Sequence, residues 1–168
     1  MKTIEEQMAT YAAYHQDARN KATHFIGVPI IVLSLFIPLA WLRADIGGLA
    51  ISAGMVLGAI VLAYYLALDL VLGLAMVAVF ALLLWIGEHI AALGAASGWT
   101  WFALLFVGGW ILQLVGHVFE GRRPALADNL FQIFIAPIFL CAELFFALGY
   151  KPRLQAAVRE RALRLRAG

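Results

Sequence analysis

Charged side chains are scarce in this chain. Of its 168 residues, 13% are charged and 64% are hydrophobic, whereas a soluble domain carries about a quarter charged residues and about half apolar ones. So few charges cannot cover the surface of a water-soluble protein of this length. The composition predicts an integral membrane protein, and the length predicts one membrane domain over residues 1–168.

Cysteine is also scarce, and the N-terminal segment has little apolar character. The single cysteine, Cys141, lies inside an apolar run, which excludes an intramolecular disulfide and a cysteine-based metal site. The segment 1–23 is polar and lacks the apolar core of a signal peptide. We therefore expect no cleaved targeting segment.

Long apolar runs dominate the segment 24–149. Four of them, roughly 24–42, 47–67, 70–93 and 99–118, are long enough to cross a hydrocarbon layer of about 30 Å, which takes about 20 helical residues. A fifth run, 130–149, has a proline near its centre. The pattern predicts an all-α helical bundle with four transmembrane helices and a fifth, proline-broken segment.

Two interpretations of the fifth run are open. If it crosses the membrane, five cations lie on one side and seven on the other. If it enters and returns, bent near Ala136–Pro137, eleven of the twelve Lys and Arg residues share one side and only Arg43 lies opposite. Because positive charge concentrates on the cytoplasmic side, we favour the re-entrant topology with both termini cytoplasmic. A straight helix with a proline kink is the alternative.

The tail 150–168 alternates basic and apolar residues. It predicts an amphipathic helix resting on anionic head groups of the lipid bilayer. Nucleic-acid binding is not expected, because it requires more basic surface and a soluble scaffold. The membrane is expected to be the inner membrane in a bacterium or the endoplasmic reticulum in a eukaryote.

Three of the four histidines are expected at one end of the bundle. His15 and His24 flank the start of the first span, and the fourth span returns to that end at His117. His89 lies about 30 Å away, at the far end of the third span. Imidazole is the commonest transition-metal ligand, so the first three predict a metal site and His89 is left out of it.

Local sequence supports this convergence. Nine residues of continuous helix would put His15 and His24 on opposite faces, so the chain must turn between them. The stretch "QDARN" at 16–20 supplies turn and cap residues for the helix that follows. In the stretch "GHVFEGRRPALADN" at 116–129, His117 and Glu120 share one helix face, and Gly121 suits a helix end.

Two stretches resemble a known family. They are "YAAYHQDARNKATHFIGVP" and "GWILQLVGHVFEGRRPALADNLFQIFIAPIFLCAELFFALGYKPRL", and they are similar to the fungal endoplasmic-reticulum 2-hydroxy fatty acid dioxygenase family and its bacterial relatives. The resemblance rests on residues near both ends of the chain: His15, Asn20, His24, Pro29, His117, Glu120, Arg123, Pro124, Ala125, Leu126, Asn129, Ala136, Pro137 and Glu143.

The resemblance implies an activity in fatty acid α-oxidation. Such an enzyme uses iron(II) (Fe²⁺) and O₂ to shorten a 2-hydroxy fatty acid by one carbon. His15, His24 and His117 would hold the iron and leave positions open, as in facial-triad sites. Some relatives also have a histidine near the end of the third span, so the resemblance leaves His89 as a minor candidate for a further ligand. A 2-hydroxy acid can chelate a metal through its carboxylate and its hydroxyl.

The other candidate residues are polar side chains near these histidines. Glu120 is expected to be a fourth ligand or an acceptor that orients a ligand histidine. The remaining candidates are catalytic Glu143, which is costly in an apolar run unless paired or functional, and substrate-binding Asn20, Arg122, Arg123 and Asn129. The two arginines can hold a carboxylate or anchor lipid head groups, and the asparagines can contact the site or cap helices.

Three other function classes are alternatives to this one. A membrane hydroxylase or desaturase uses many histidines in HxxxH and HxxHH boxes, and this chain has four histidines and no such box. A b-type haem protein with two axial histidines and a non-catalytic transporter or lipid-binding protein both stay open at this point.

Overall fold

The computed structural model describes residues 3–122, 124 and 130–167. These residues form a predominantly helical chain with one short hairpin: α1 (Ile4–Ala13), α2 (Ala18–Leu39), β1 (Arg43–Ile46), β2 (Leu49–Ser52), α3 (Ala53–Leu68), α4 (Leu70–Ala92), α5 (Ala95–Glu120), α6 (Gln132–Ala147) and α7 (Pro152–Ala167). Within the described ranges, α2, α4 and α5 are long and apolar enough to cross a membrane, whereas α3 and α6 have 16 residues each.

The second predicted span begins later than expected. We predicted that it starts near residue 47, but residues 43–52 form the antiparallel pair β1–β2. Gly47 and Gly48 take φ values of 63° and 85°, which the tight turn of a hairpin requires and glycine adopts readily. Ser52 then caps α3 by accepting a hydrogen bond from the Met55 N–H at 3.2 Å. The fold is all-helical apart from this short hairpin, which leaves α3 with 16 residues.

Helices α2 and α5 approach each other closely through glycines. A Cβ atom at Gly109 would lie 2.6 Å from Ile31, and one at Gly116 would lie 2.4 Å from Asn20 Oδ1. Small residues at such contacts let two helix backbones come together in a membrane. This contact joins the beginning of α2 to the end of α5. We call that end of the bundle, around residues 15–24 and 116–122, the site end, and the other end, around residues 43–52, the hairpin end.

Helix α6 is continuous through Pro137. The predicted break near Ala136–Pro137 is therefore wrong. Proline lacks an N–H, so the helix loses the bond to the Ile133 carbonyl. The Tyr65 hydroxyl on α3 donates to the neighbouring Phe134 carbonyl at 2.6 Å, and such a contact from an adjacent helix supports the loosened turn.

Both ends of α6 lie at the site end. Its first turn contacts Tyr65, three residues before the end of α3. Near its last turn, Glu143 pairs with Lys21 at 2.7 Å, and Lys21 lies in the first turn of α2. Just beyond α6, Lys151 pairs with Asp69 in the α3–α4 connection at 2.5 Å. The fifth apolar run therefore lies across one end of the bundle as a single helix.

The terminal helices α1 and α7 pack against each other. Thr3 and Glu6 form a capping box that starts α1, and Glu6 also pairs with Arg161 of α7 at 2.9 Å. Val158 and Ala162 of α7 are buried in the core that also holds the apolar face of α1. The polar N-terminal segment is thus folded into the site end, where it carries the first histidine.

Candidate metal centre

Two histidines face each other across the turn between α1 and α2. The predicted turn is present, and Asp17 caps α2 by accepting from the Arg19 N–H at 2.8 Å. His15 Nδ1 lies 2.7 Å from the Tyr11 carbonyl, and His24 Nδ1 lies 2.9 Å from the Asn20 carbonyl. A carbonyl only accepts, so each Nδ1 donates its hydrogen. In the neutral rings each Nε2 therefore keeps a free lone pair.

The two Nε2 atoms that carry these lone pairs lie close together. His15 Nε2 and His24 Nε2 are 3.1 Å apart. With both hydrogens on Nδ1 they form no hydrogen bond, so their lone pairs repel unless a cation lies between them. Imidazole binds divalent metals at about 2.0–2.1 Å, so two ligands at about 90–110° lie about 2.8–3.4 Å apart. The observed spacing suits two ligands of one metal ion.

The third histidine completes the cluster. His117 lies in the last turn of α5, and Gly121 ends that helix in the left-handed conformation at φ 66°, as the sequence predicts. Its ring centroid is 5.0 Å from that of His15 and 5.1 Å from that of His24. All three rings are buried, and their candidate ligand atoms lie within 4.8 Å of one another. Nδ1 of His117 has no hydrogen-bond partner among the residues described.

Burial sets the charge state of His15. Removal from water, followed by the neighbouring His24, holds the pKa of the His15 imidazole well below its usual range. A lowered pKa keeps this ring neutral, which is the form that binds a metal. The cluster is therefore prepared for a cation rather than for a proton.

Glu120 does not take either of the roles that we predicted for it. Its Oε2 accepts from the backbone N–H groups of Gln16 at 2.9 Å and Asp17 at 2.7 Å. Its Oε1 accepts from Arg166 at 2.6 Å. Both oxygens are engaged by donors, so Glu120 holds the backbone beside His15 and is neither a ligand nor an imidazole acceptor in this structure.

Asn20 also turns inward to the protein. Its Nδ2 lies 3.3 Å from the Tyr14 carbonyl and 3.3 Å from Glu120 Oε2. The side chain is fully buried and does not line the cavity described below. In this structure the side chain supports the α1–α2 turn, and its contact with substrate stays a prediction.

The other polar candidates lie away from the histidines or outside the described residues. Glu143 is paired with Lys21, which satisfies a charge in an apolar run. Arg122 is exposed just beyond α5. Neither Glu143 nor Arg122 lines the described part of the cavity. Arg123 and Asn129 lie outside the residues that the structure describes.

His89 is separate from the cluster, as expected. It is exposed near the hairpin end, and its Nδ1 lies 2.7 Å from the Trp85 carbonyl. The neighbouring Glu88 forms an ion pair with Arg43 at that same end. His89 does not belong to the group of side chains that could share a metal ion.

An apolar cavity of about 250 Å³ leads away from the three histidines. One wall is a single face of α2, formed by side chains spaced three or four residues apart: Val28, Ile31, Val32, Leu35 and Phe36. Between His24 and Phe36 this face runs for about 18 Å, at 1.5 Å per residue. Helices α3, α4 and α6 supply Val61, Phe80 and Ile133. The arrangement suits a ligand with a polar head and a long apolar tail.

Two glutamines and a glycine belong to the site, although no sequence pattern above singles them out. Gln113 and Gln132 are buried and line the cavity, and each has an amide atom without a partner in the described part of the chain. Gln113 lies four residues before His117, which is a signal that could have placed it on the same helix face. Gly116 leaves room for His24, since a Cβ there would lie 3.2 Å from His24 Nδ1.

The ring geometry does not favour a haem. Two axial imidazoles bind opposite faces of a porphyrin, so their nitrogens would lie about 4 Å apart at about 2.0 Å per bond. His15 and His24 are closer than this, at 3.1 Å. The ring centroid of His117 lies at similar distances from those of His15 and His24, 5.0 and 5.1 Å. Three converging rings fit a single ion better than a flat macrocycle.

Comparison with known proteins gives the family. The chain is 36% identical over 172 residues to the 2-hydroxy-palmitic acid dioxygenase MPO1 of Saccharomyces cerevisiae, covering 96% of this chain and 94% of the yeast protein. No solved structure matches the chain. Residues 1–148 match the family described as 2-hydroxy-palmitic acid dioxygenase Mpo1-like. The chain therefore belongs to the Mpo1-like family, which confirms the resemblance of its two end stretches.

Proposed function

We propose that this protein is an iron(II)-dependent dioxygenase that shortens long-chain 2-hydroxy fatty acids by one carbon, using O₂. The observation that carries the proposal is the cluster of three buried histidines at one end of an apolar cavity. The name of the yeast relative, a 2-hydroxy-palmitic acid dioxygenase, supports the substrate class and the type of reaction.

His15, His24 and His117 would hold the iron. Their donor set fits a divalent transition metal, because imidazole suits iron and the facing nitrogens are 3.1 Å apart. Three neutral ligands leave the positive charge of the ion uncompensated, which favours an anionic substrate. When bound, iron(II) supplies open coordination positions and the ability to transfer electrons to O₂.

The protein's own residues bind and orient the substrate. The apolar face of α2 and the side chains opposite it hold the acyl chain and keep water from the histidines. The amides of Gln113 and Gln132, each with an unpartnered atom, lie in the same cavity and can hydrogen-bond the carboxylate and the hydroxyl. A buried amide without a partner is costly, and a polar head group removes that cost.

The reaction balances without an added reductant. A 2-hydroxy acid and one O₂ contain the atoms of the acid one carbon shorter, CO₂ and water. The electrons lost as the carbon chain is oxidised equal those that O₂ accepts. The protein therefore needs no flavin, nicotinamide or partner reductase for this chemistry.

The proposed setting is a membrane, with both termini in the cytoplasm. All described Lys and Arg residues except Arg43 lie at the site end or on the helices packed there. Positive charge concentrates on the cytoplasmic side of membrane proteins, so the site end would face the cytoplasm. The membrane would be the inner membrane in a bacterium or the endoplasmic reticulum in a eukaryote.

Incubation of the purified, iron-loaded protein with 2-hydroxypalmitate tests the activity. We expect the acid one carbon shorter to form in air and not under anaerobic conditions. Unsubstituted palmitate, which lacks the second chelating oxygen, is the matched substrate control and should react poorly. Zinc-loaded protein should be inactive, since zinc has no redox chemistry.

Two outcomes would remove this function. Equal product formation without O₂ would exclude a dioxygenase, and no product with iron fully loaded would leave a metal site of another purpose. A purified protein that contains no metal by elemental analysis, and binds none, would favour the lipid-binding alternative.

A further inference from the structure

The C-terminal helix reaches the histidine cluster through one charged side chain. Arg166 Nη1 donates to Glu120 Oε1 at 2.6 Å, and the side chains are 32% and 1% exposed. The second oxygen of Glu120 accepts from the N–H groups of Gln16 and Asp17, and Asn20 Nδ2 lies 3.3 Å from it. One carboxylate thus joins the end of α5, the α1–α2 turn and α7.

We propose that Arg166 is a positioning residue for the metal centre, acting through Glu120 on the turn that carries His15. This inference rests on the proposal that the three histidines bind a metal. It concerns a part of the chain beyond the family match, which ends at residue 148. Arg166 does not line the described part of the cavity.

The α1–α2 turn depends on Glu120 because the backbone N–H groups of the turn have few other acceptors. Gln16 and Asp17 lie where α1 has ended and α2 has not yet begun, so their N–H groups lack partners within a helix. The carboxylate takes both. His15 is the residue directly before this pair, so a shift of the turn moves its imidazole. A metal site tolerates little displacement, since ligand distances are held to about 0.2 Å.

Glu120 depends in turn on Arg166. A buried carboxylate is unfavourable unless a cation compensates its charge and donors occupy its oxygens. Arg166 is the cation that does so here. Without it, the carboxylate is drawn toward water and away from the two amides that it holds. The substitution Arg166→Lys would keep the positive charge on a shorter side chain with a compact head group. It should therefore compensate most of the charge of Glu120.

Helix α7 keeps other attachments when Arg166 is removed. Arg161 pairs with Glu6 of α1 at 2.9 Å, and Val158 and Ala162 are buried in the core. Substitution of Arg166 therefore perturbs the metal centre without detaching the helix. This separates a positioning role from a general contribution to folding.

Cobalt(II) binding to the full-length protein in detergent tests the inference. Cobalt(II) stands in for iron(II), and its visible absorption spectrum reports its ligands. We expect Arg166→Ala to weaken cobalt binding about tenfold or more, in line with the effect of residues that orient metal ligands, and to change the spectrum. Arg166→Lys should recover most of the affinity.

Arg164→Ala is the matched control. Arg164 lies on the same helix and pairs with Glu160 on the solvent-facing surface, with both side chains 69% exposed. This variant should bind cobalt(II) with the affinity and spectrum of the unmodified protein. If Arg166→Ala does not yield folded protein, Arg166→Gln is measured in the same way, because it keeps a donor but removes the charge.

The outcomes separate the two proposals. Cobalt affinity and spectrum unchanged in Arg166→Ala, or in Arg166→Gln where that variant replaces it, would overturn the positioning role and leave the proposed function intact. An unmodified protein that binds no cobalt(II) and no iron(II) would overturn the metal centre itself, and the role of Arg166 with it.

Discussion

Two backbone carbonyls decide what the facing histidines can bind. The Tyr11 carbonyl fixes the hydrogen of His15 on Nδ1, and the Asn20 carbonyl does the same for His24. Partners of this kind orient metal ligands and set their tautomer. Each carbonyl lies four residues before its histidine, so the local chain prepares each ring before the two meet. The two Nε2 atoms then offer lone pairs that a cation can accept, and they cannot hydrogen-bond each other.

Alanine substitution of each histidine tests the ligand set. Replacement of His15, His24 or His117 should abolish binding of iron, because the remaining two imidazoles leave the ion too few ligands. His89→Ala is the control and should retain most of the metal, since His89 lies near the hairpin end. Elemental analysis of the purified variants measures this directly. Loss of metal from His89→Ala as complete as that from His117→Ala would refute the ligand set.

At the scale of elements, the close contact of α2 and α5 brings two of the histidines together. Gly116 precedes His117 and lies against the turn of α2 that contains Thr23 and His24. The apolar pattern predicts both helices but not this contact. Glycine is also common in membrane helices without such a role, so its spacing alone does not identify a contact.

Gly116→Ala should both destabilise the protein and weaken its metal binding. The added Cβ would lie 2.3 Å from Thr23 Oγ1 and 2.4 Å from Asn20 Oδ1, so these buried side chains must shift or the helices must separate, at a cost of about 1–3 kcal/mol. Thermal unfolding and metal affinity measure the two effects. Gly108→Ala on the same helix is the control, because nothing lies within 4 Å of its added Cβ among the described residues. An unchanged melting temperature and metal affinity in Gly116→Ala would contradict this account.

Two elements differ from the prediction, the hairpin at residues 43–52 and helix α6, and each difference has a physical cause. The apolar pattern predicts that a span starts within residues 43–52, because the second strand of the hairpin there is apolar and continues into α3. Pro137 predicted a break in α6, but the Tyr65 hydroxyl supports the weakened turn from another helix. In both cases the local residue pattern is as described, but contacts with neighbouring parts of the chain change the secondary structure that forms there.

At the scale of the whole molecule, charge distribution predicts the orientation. Cysteine variants at Ser97, at the start of α5, and at Gly168, in the terminal tail, can be produced in bacterial cells in a background where Cys141 is replaced. A reagent that does not cross the inner membrane then labels only positions on its outer side. We expect labelling at Ser97 and none at Gly168, because the cationic site end should face the cytoplasm. Equal labelling of the two positions would mean that they share one side of the membrane.

The sequence by itself determined the composition class, the long apolar helices and the family. It also predicted which three histidines converge, because helix direction alternates along the chain and returns His117 to the end where His15 and His24 lie. These properties depend on local pattern and on chain order, and both can be taken from the sequence. The tertiary structure decided the 3.1 Å spacing of the facing nitrogens and the partners of Glu120.

The contacts of Glu120 join groups that are far apart in the chain. Glu120 holds an amide 104 positions away and an arginine 46 positions away. No periodicity or spacing encodes such a contact, because it arises only when α1, α5 and α7 pack at one end of the bundle. The sequence therefore determined which side chains are available there, and packing determined which of them bind one another and which are left to bind a ligand.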